Sequence, residues 1–171
     1  MALSYLLDTN VLSRLMREPH GITADRLAEV ARRVSCDAIV NIQGDERMIE
    51  ASAIEAAVEL GLSGTGEQFG TIATPIRDVR EHLEPSTLKV VENREGYALY
   101  FSRSLIPYPR KHEGHRVFEH IGLYAYRRDF LFKYAALPQT PLEKLESLEQ
   151  LRVLEHGYRL RVVETREAYV A

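Results

Sequence analysis

Two stretches of this 171-residue chain combine reactive residue types with a position that could use them. The first is Gln43-Gly44-Asp45-Glu46, a polar turn directly after the β-branched run Ala38–Ile42. In open α/β sheets, ligands collect beyond the carboxyl ends of strands. An acidic pair there can hold Mg²⁺, which takes one or two carboxylates, keeps several waters and shares the phosphate oxygens of a substrate. The same spacing also fits a solvated turn whose Asp45 caps a helix starting near Met48. Residue types alone leave both readings open. The second stretch is FSRSLIPYPRKH, where Arg103, Arg110, Lys111 and His112 stand among prolines. Arginine matches carboxylate and phosphate geometry, so this segment could grip an anion; the plain alternative is a basic surface loop.

Other candidates carry less. His120 opens an aromatic strand, where a lone histidine is more often a hydrogen-bonded structural residue than a base. Glu149 and Gln150 lie mid-helix beside leucines and either face solvent or line a cleft. His112, His115 and His120 have no cysteine nearby and no tight helical pairing, which argues against zinc. There is no Ser-centred nucleophile elbow and no Walker loop.

Composition narrows the class. With 45% hydrophobic and 27% charged residues and a formal net charge of −3, the chain reads as one ordinary soluble domain. The slight acidity gives no broad electrostatic footprint for nucleic acid. A single cysteine, Cys36, excludes an internal disulfide framework and fits a reducing, cytoplasmic compartment. No apolar run approaches the ~18 residues of a membrane span. The opening MALSYLLDTNVL is broken by Asp8 and lacks a basic flank, so no signal peptide is expected.

The elements that must position these groups alternate along the chain. Ser4–Leu7 reads as a short buried strand before the turn Asp8-Thr9-Asn10, with a helix following through Leu12, Leu15 and Met16. Thr23 is placed to cap a helix whose Leu27, Val30, Ala31 and Val34 share one face. Ala38–Ile42 reads as an interior strand, and Ile49–Leu60 as a helix that Gly61 stops. Ser63–Gly70 is a glycine-rich loop. Gly70–Ile76 can be a strand, with Pro75 placing it near an edge or at a strand end. Asp78–Glu84 is a short helix or turn. Leu88–Glu92 and Tyr97–Ser102 flank Asn93-Arg94-Glu95-Gly96 as a hairpin, and Ile106–His115 is an exposed loop. His120–Tyr126 is a strand, followed by a helix through Phe130, Leu131 and Tyr134. Thr140-Pro141-Leu142-Glu143 carries an N-cap, a proline at the first helical position and a capping-box glutamate. Leucines 142, 145, 148, 151 and 154 continue that helix to Gly157, and Tyr158–Glu164 is the last strand. The alternation predicts an α/β fold with a mixed sheet flanked by helices.

From about His20 onward the chain resembles the 3-deoxy-manno-octulosonate cytidylyltransferases, or CMP-Kdo synthetases. The resemblance rests on TADRLAEVARRV, DAIVNIQGDE, ATPI, LKVV followed by GYALYFSRS, IPYPR, HIGLYAYRRDFL and PLEKLESLEQLRVLEHGYRLRVVET, in family order. It implies a nucleotide-diphospho-sugar-transferase-like mixed sheet and a homodimer. The implied activity uses CTP and Mg²⁺ to activate Kdo for lipopolysaccharide synthesis. By match to the family's motifs, Asp45 is implied as metal ligand and Gln43 as neighbour of nucleotide and sugar. Arg26 falls on the nucleotide side. Arg103, His120, Tyr124, Glu149 and Gln150 are implied to line the sugar pocket, arginine and histidine suiting the Kdo carboxylate.

The first 19 residues depart from that pattern. LSYLLDTNVLSRLMREPHG stands where the family has a glycine- and arginine-containing phosphate loop, and it resembles the opening of PIN-domain ribonuclease toxins, with Asp8 at their first carboxylate. A PIN-type metal-dependent ribonuclease is therefore the alternative reading, with Asp37 and Asp45 as further acids, and a non-catalytic remnant is a third. Arg47 replaces the family's proline after the Asp-Glu pair, Ile22–Arg26 alters another motif, and no aspartate follows Asp129. The expectation is a cytidylyltransferase core over 20–171 behind a foreign N-terminal segment, with the sheet incomplete at both ends.

Overall fold

The structure, a computed structural model, describes residues 5–8, 24–43, 49–62, 68–111 and 116–165. Among the described residues, seven strands form one mixed sheet. In chain order they are β1 (Tyr5–Asp8), β2 (Ala38–Ile42), β3 (Phe69–Pro75), β4 (Lys89–Glu92), β5 (Ala98–Ser102), β6 (Phe118–Arg127) and β7 (Arg161–Glu164). The helices are α1 (Ala24–Ala31), α2 (Ala51–Leu62), α3 (Arg128–Ala135), α4 (Pro141–Glu146) and α5 (Gln150–Glu155), with a 3₁₀ turn at Val79–His82.

The sheet order is β1-β2-β6-β3-β7, and the β4–β5 hairpin joins through β6. β1 runs parallel to β2, and β3 parallel to β7, while β6 is antiparallel to both β2 and β3. The carboxyl ends of β1, β2, β3 and β7 therefore lie along one edge, beside the start of β6. A seam like this gathers side chains from distant parts of the chain, which is why ligands favour it.

Strand alternation divides the core between the two faces. On one, Val40, Ile72, Ile121, Leu123 and Ala125 pack against Ala53 and Ala57 of α2. On the other, Ile39, Phe69, Tyr124 and Tyr126 meet residues of α1, α3 and α5. α1 forms because Ala24, Leu27, Ala28 and Ala31 recur at helical spacing, and all four are buried. The helix is shorter than the spacing predicts, and Val34 lies outside it. Its end is held from outside, since Arg128 Nη2 donates to the carbonyl of Ala31.

Two further expectations are corrected, and that for Pro75 resolves to the strand end. Gly61 lies inside the last turn of α2 rather than stopping it. β3 is interior, paired on both sides, and Pro75 is its last residue, where the missing N–H costs no ladder bond. The run of leucines is two helices instead of one. Steps of three residues advance by about 300°, so five such leucines spiral around a helix by about 60° each and cannot all face one core. The chain breaks at Ser147, which adopts left-handed φ 55° and ψ 47°. After the break Leu148 and Leu151 are buried, while Leu145 is left 80% exposed.

Candidate functional site

At the carboxyl edge, the exposed Gln43 follows β2, and its N–H donates to the carbonyl of Gly122 at 2.8 Å. β6 is irregular at that point. Tyr124 pairs with Thr71 but Ile121 pairs with Ile72, so Gly122 and Leu123 bulge between them. Bulges re-aim side chains and free carbonyls from the ladder. Here the Thr71 hydroxyl takes up the slack, donating to the carbonyl of Leu123 at 2.8 Å. Its oxygen lies 2.9 Å from Nε2 of His120. A hydroxyl has one proton, so Nε2 carries the hydrogen of this second bond and the ring is the Nε2–H tautomer, assigned from the network. Burial pushes the His120 pKa down to about 3. The ring is thus neutral, with its N–H committed.

Aromatic rings continue from His120 along the same face. Phe101 meets it edge-on at 5.1 Å between centroids, Tyr124 lies 5.2 Å away, and Phe69 stacks on Tyr124 at 5.7 Å. Through Phe69 and Phe130, 5.8 Å apart, the rings form a wall that runs from β5 to α3.

Arg103 directly follows β5, two residues past Phe101. Its Nε donates to the carbonyl of Glu146 at 3.1 Å and its Nη1 to the carbonyl of Pro85 at 3.1 Å. The Glu146 carboxylate is occupied elsewhere, by the Ser102 hydroxyl at 2.7 Å and the Arg103 N–H at 3.2 Å. The guanidinium is exposed and forms no ion pair among the described residues. An arginine oriented by carbonyls keeps its charge and part of its fork for an outside anion.

Glu149 lies in the break before α5. Its carboxylate accepts from the N–H of Ala24 at 3.1 Å, the first residue of α1, and from Arg152 at 3.4 Å. Burial raises its pKa, opposed by both of these partners. An acid at a helix N-terminus satisfies an orphan donor and suits the helix dipole. Arg152 also makes a two-point contact with Glu143, at 2.8 and 2.5 Å, with both side chains buried. The Tyr134 hydroxyl closes the network on the carbonyl of Glu149 at 2.7 Å. Gln150 is 4% exposed, and its amide Nε2 has no hydrogen-bond partner among the described residues. A buried orphan donor costs about 1–3 kcal/mol unless something else accepts from it.

The cytidylyltransferase family model matches residues 9–162. The chain belongs to the cytidylyltransferase family. It is 47% identical to a 3-deoxy-manno-octulosonate cytidylyltransferase of Syntrophotalea carbinolica, the match covering 89% of this chain and 64% of that protein. With the Solibacter usitatus enzyme of the same name the identity is 48%, over 89% of this chain and 61% of the relative. The chain thus spans a little over three-fifths of the length of these curated relatives. Among solved structures it resembles a CMP-2-keto-3-deoxy-manno-octonic acid synthetase complexed with CTP. That likeness has a TM-score of 0.79 and 43% identity, and covers 85% of this chain and 60% of the synthetase. A putative glucose-1-phosphate thymidylyltransferase of Bacillus anthracis, TM-score 0.53 at 15% identity over 89% of this chain and 55% of that one, shares the fold alone. The mixed sheet expected from the sequence is the one found.

In this cytidylyltransferase-family chain, the edge brings several sequence candidates onto one face. His120 and Tyr124 share β6, and the β5 end carrying Arg103 reaches them through Phe101. Glu149 is joined to the first turn of α1, where Arg26 is exposed and pairs with Glu29 at 3.1 Å. Two expectations change. Glu149 lies between helices rather than mid-helix, and its carboxylate is bonded to protein groups. Histidine was expected to suit a carboxylate; the His120 ring is buried, its pKa lowered to about 3, and its Nε2 lies 2.9 Å from the Thr71 hydroxyl. Asp45, His112 and His115 lie outside the described residues. Among the described residues no three acids, histidines or cysteines converge on a cation position. Sequence reasoning missed Thr71, Lys89, Glu146 and Arg152. Only the charged triplet Lys89, Glu146 and Arg152 left a signal, in sitting on strands or helices among apolar neighbours.

Proposed function

We propose that this chain is the core of an enzyme that transfers CMP from CTP to Kdo with release of pyrophosphate, for lipopolysaccharide synthesis. The observation that carries the reading is the likeness to a CTP-complexed synthetase at 43% identity over 85% of the chain. In this scheme the sugar's anomeric hydroxyl forms a new bond to the α-phosphorus, the α–β bridging bond breaks, and the hydroxyl proton goes to solvent. Arg103 fixes the sugar carboxylate, and the buried Gln150 amide, whose Nε2 has no partner among the described residues, donates to a sugar oxygen. Tyr124 and His120 form the wall against which the ring packs. Glu149 ties that wall to α1, whose Arg26 faces the nucleotide, and Gln43 stands between nucleotide and sugar. Asp45 with phosphate oxygens and water suits Mg²⁺, which would screen the triphosphate. The protein's share is orientation of two anionic substrates.

CTP with Mg²⁺ tests the reading directly. A ligand at 100 times its Kd stabilises the native state by about 2.7 kcal/mol. For a chain of this length that raises Tm by about 5–11 °C. Pyrophosphate release on adding Kdo completes the expected result, and no shift at millimolar CTP overturns it. A cytoplasmic homodimer belongs to the same proposal. Leu83, Leu99, Tyr108 and Leu145, 61–83% exposed, offer apolar surface to a second copy, and sedimentation measures it.

A second reading concerns Asp8. β1 is in parallel register with β2, Asp8 opposite Ile42, so its backbone ends at the same edge as Gln43. We propose Asp8 as an additional metal carboxylate there, which predicts weaker Mg²⁺ affinity for Asp8→Ala. Unchanged affinity removes this role.

A further inference from the structure

Lys89 is fully buried, on β4 opposite Ser102 of β5 and Glu119 of β6. Burying an ammonium costs several kcal/mol unless its donors are all used. All three are used, and every acceptor is a backbone carbonyl: Glu84 at 2.7 Å, Thr87 at 2.7 Å and Arg103 at 2.8 Å. Glu84–Thr87 is a tight turn, closed by the Thr87 N–H on the Glu84 carbonyl at 3.2 Å. The carbonyl inside that turn, of Pro85, is the one that receives Arg103 Nη1. Lys89 therefore grips both ends of one contact, the turn that supplies the acceptor and the residue that supplies the donor.

The rest of the arrangement limits what this grip can be for. Arg103 Nε and Nη1 point at fixed carbonyls, so the guanidinium plane is set. Its Nη2 has no partner among the described residues. A core that needed a cation could pair it with an acid, but among the described residues no carboxylate oxygen is bonded to Lys89 Nζ. The lysine instead organises carbonyls around a second, outward-facing cation. Preorganising a planar donor before its ligand arrives removes an ordering cost from binding.

We infer that Lys89 is a positioning residue that sets the Arg103 guanidinium to receive the carboxylate of the sugar acid. The inference rests on the sugar-side role proposed above for Arg103. It separates Lys89 from ordinary packing because its effect must pass through one other side chain.

Calorimetry of Kdo binding to the CTP- and Mg²⁺-loaded chain, in a double-mutant cycle, tests it. Lys89→Met should weaken Kdo binding at least tenfold while CTP binding stays within twofold. In an Arg103→Lys background, which keeps the charge but not the fork, the same substitution should change Kdo binding less than twofold. Equal losses in both backgrounds, or none in the first, overturn the inference alone. A wild-type chain that binds CTP and not Kdo overturns the functional reading and this inference together. If Lys89→Met does not fold, the wild type still decides. Without ligand, the Arg103 guanidinium should show two separate Nη resonances, assigned by their loss in Arg103→Lys. A single averaged signal means free rotation and overturns the proposal.

Discussion

His120 provides the sharpest quantitative test of the site's electrostatics. Its ring is neutral in the fold, with a pKa pushed down to about 3 by burial, against 6.5 in an exposed histidine. Below pH 6.5 the unfolded chain takes up a proton that the folded chain refuses, so stability rises with pH across this window. The contribution is fully present above pH 6.5 and is lost as pH falls toward 3. Between pH 7.5 and pH 5 these two pKa values give a loss of about 2 kcal/mol, from 1.36 kcal/mol per unit. Urea denaturation at the two pH values, on the wild type and on His120→Gln, isolates the effect. Glutamine keeps an N–H for the Thr71 oxygen but does not titrate. Other groups, including Glu92 with the opposite sign, cancel in the comparison. The wild type should lose about 2 kcal/mol more than the variant. Equal losses would mean that His120 is solvated or protonated in the fold, and the tautomer derived from Thr71 would fall with it.

Three other outcomes follow from the same structure. Arg152→Met should cost about 3–5 kcal/mol by leaving Glu143 buried and unpaired, while Glu143→Met with Arg152→Met recovers much of it, measured by urea melts. Gly96 has φ +76° and an added Cβ would meet Arg161 Nη1 at 2.9 Å, whereas Gly157 has φ +78° and open space. Both alanine variants should pay the left-handed penalty of about 1–2 kcal/mol, with Gly96→Ala losing more in thermal melts. Glu92 is pushed up to about 6, by burial first and then by Glu164. A raised carboxyl pKa favours the fold below the usual 4.5 and loses that benefit as pH rises through 6. Glu92→Gln should therefore raise Tm at pH 7.5 and leave it unchanged near pH 4.

The fold class and most elements were legible in the amino-acid order, because strand and helix periods are local properties. Ala38–Ile42 keeps its expected bounds, the hairpin closes at Asn93–Gly96, and Thr140-Pro141 starts a helix where it should. The family resemblance nominated Arg103, His120, Tyr124, Glu149 and Gln150 for the sugar side, and of these His120 and Tyr124 share β6. Charge state and partnership were not legible. His120 is neutral because packing buries its ring, and a bulge in β6 brings Thr71, 49 residues away, within 2.9 Å of it. Glu149 reaches back 125 residues to the start of α1 only because the leucine helix breaks at Ser147. Lys89 meets Arg103 through hairpin register, and all three of its acceptors are carbonyls, which residue names do not reveal. Periodicity records which face of an element seeks the core. Which distant groups then share a proton, a carbonyl or a charge is settled by strand register and packing, and those exist only once the chain has folded.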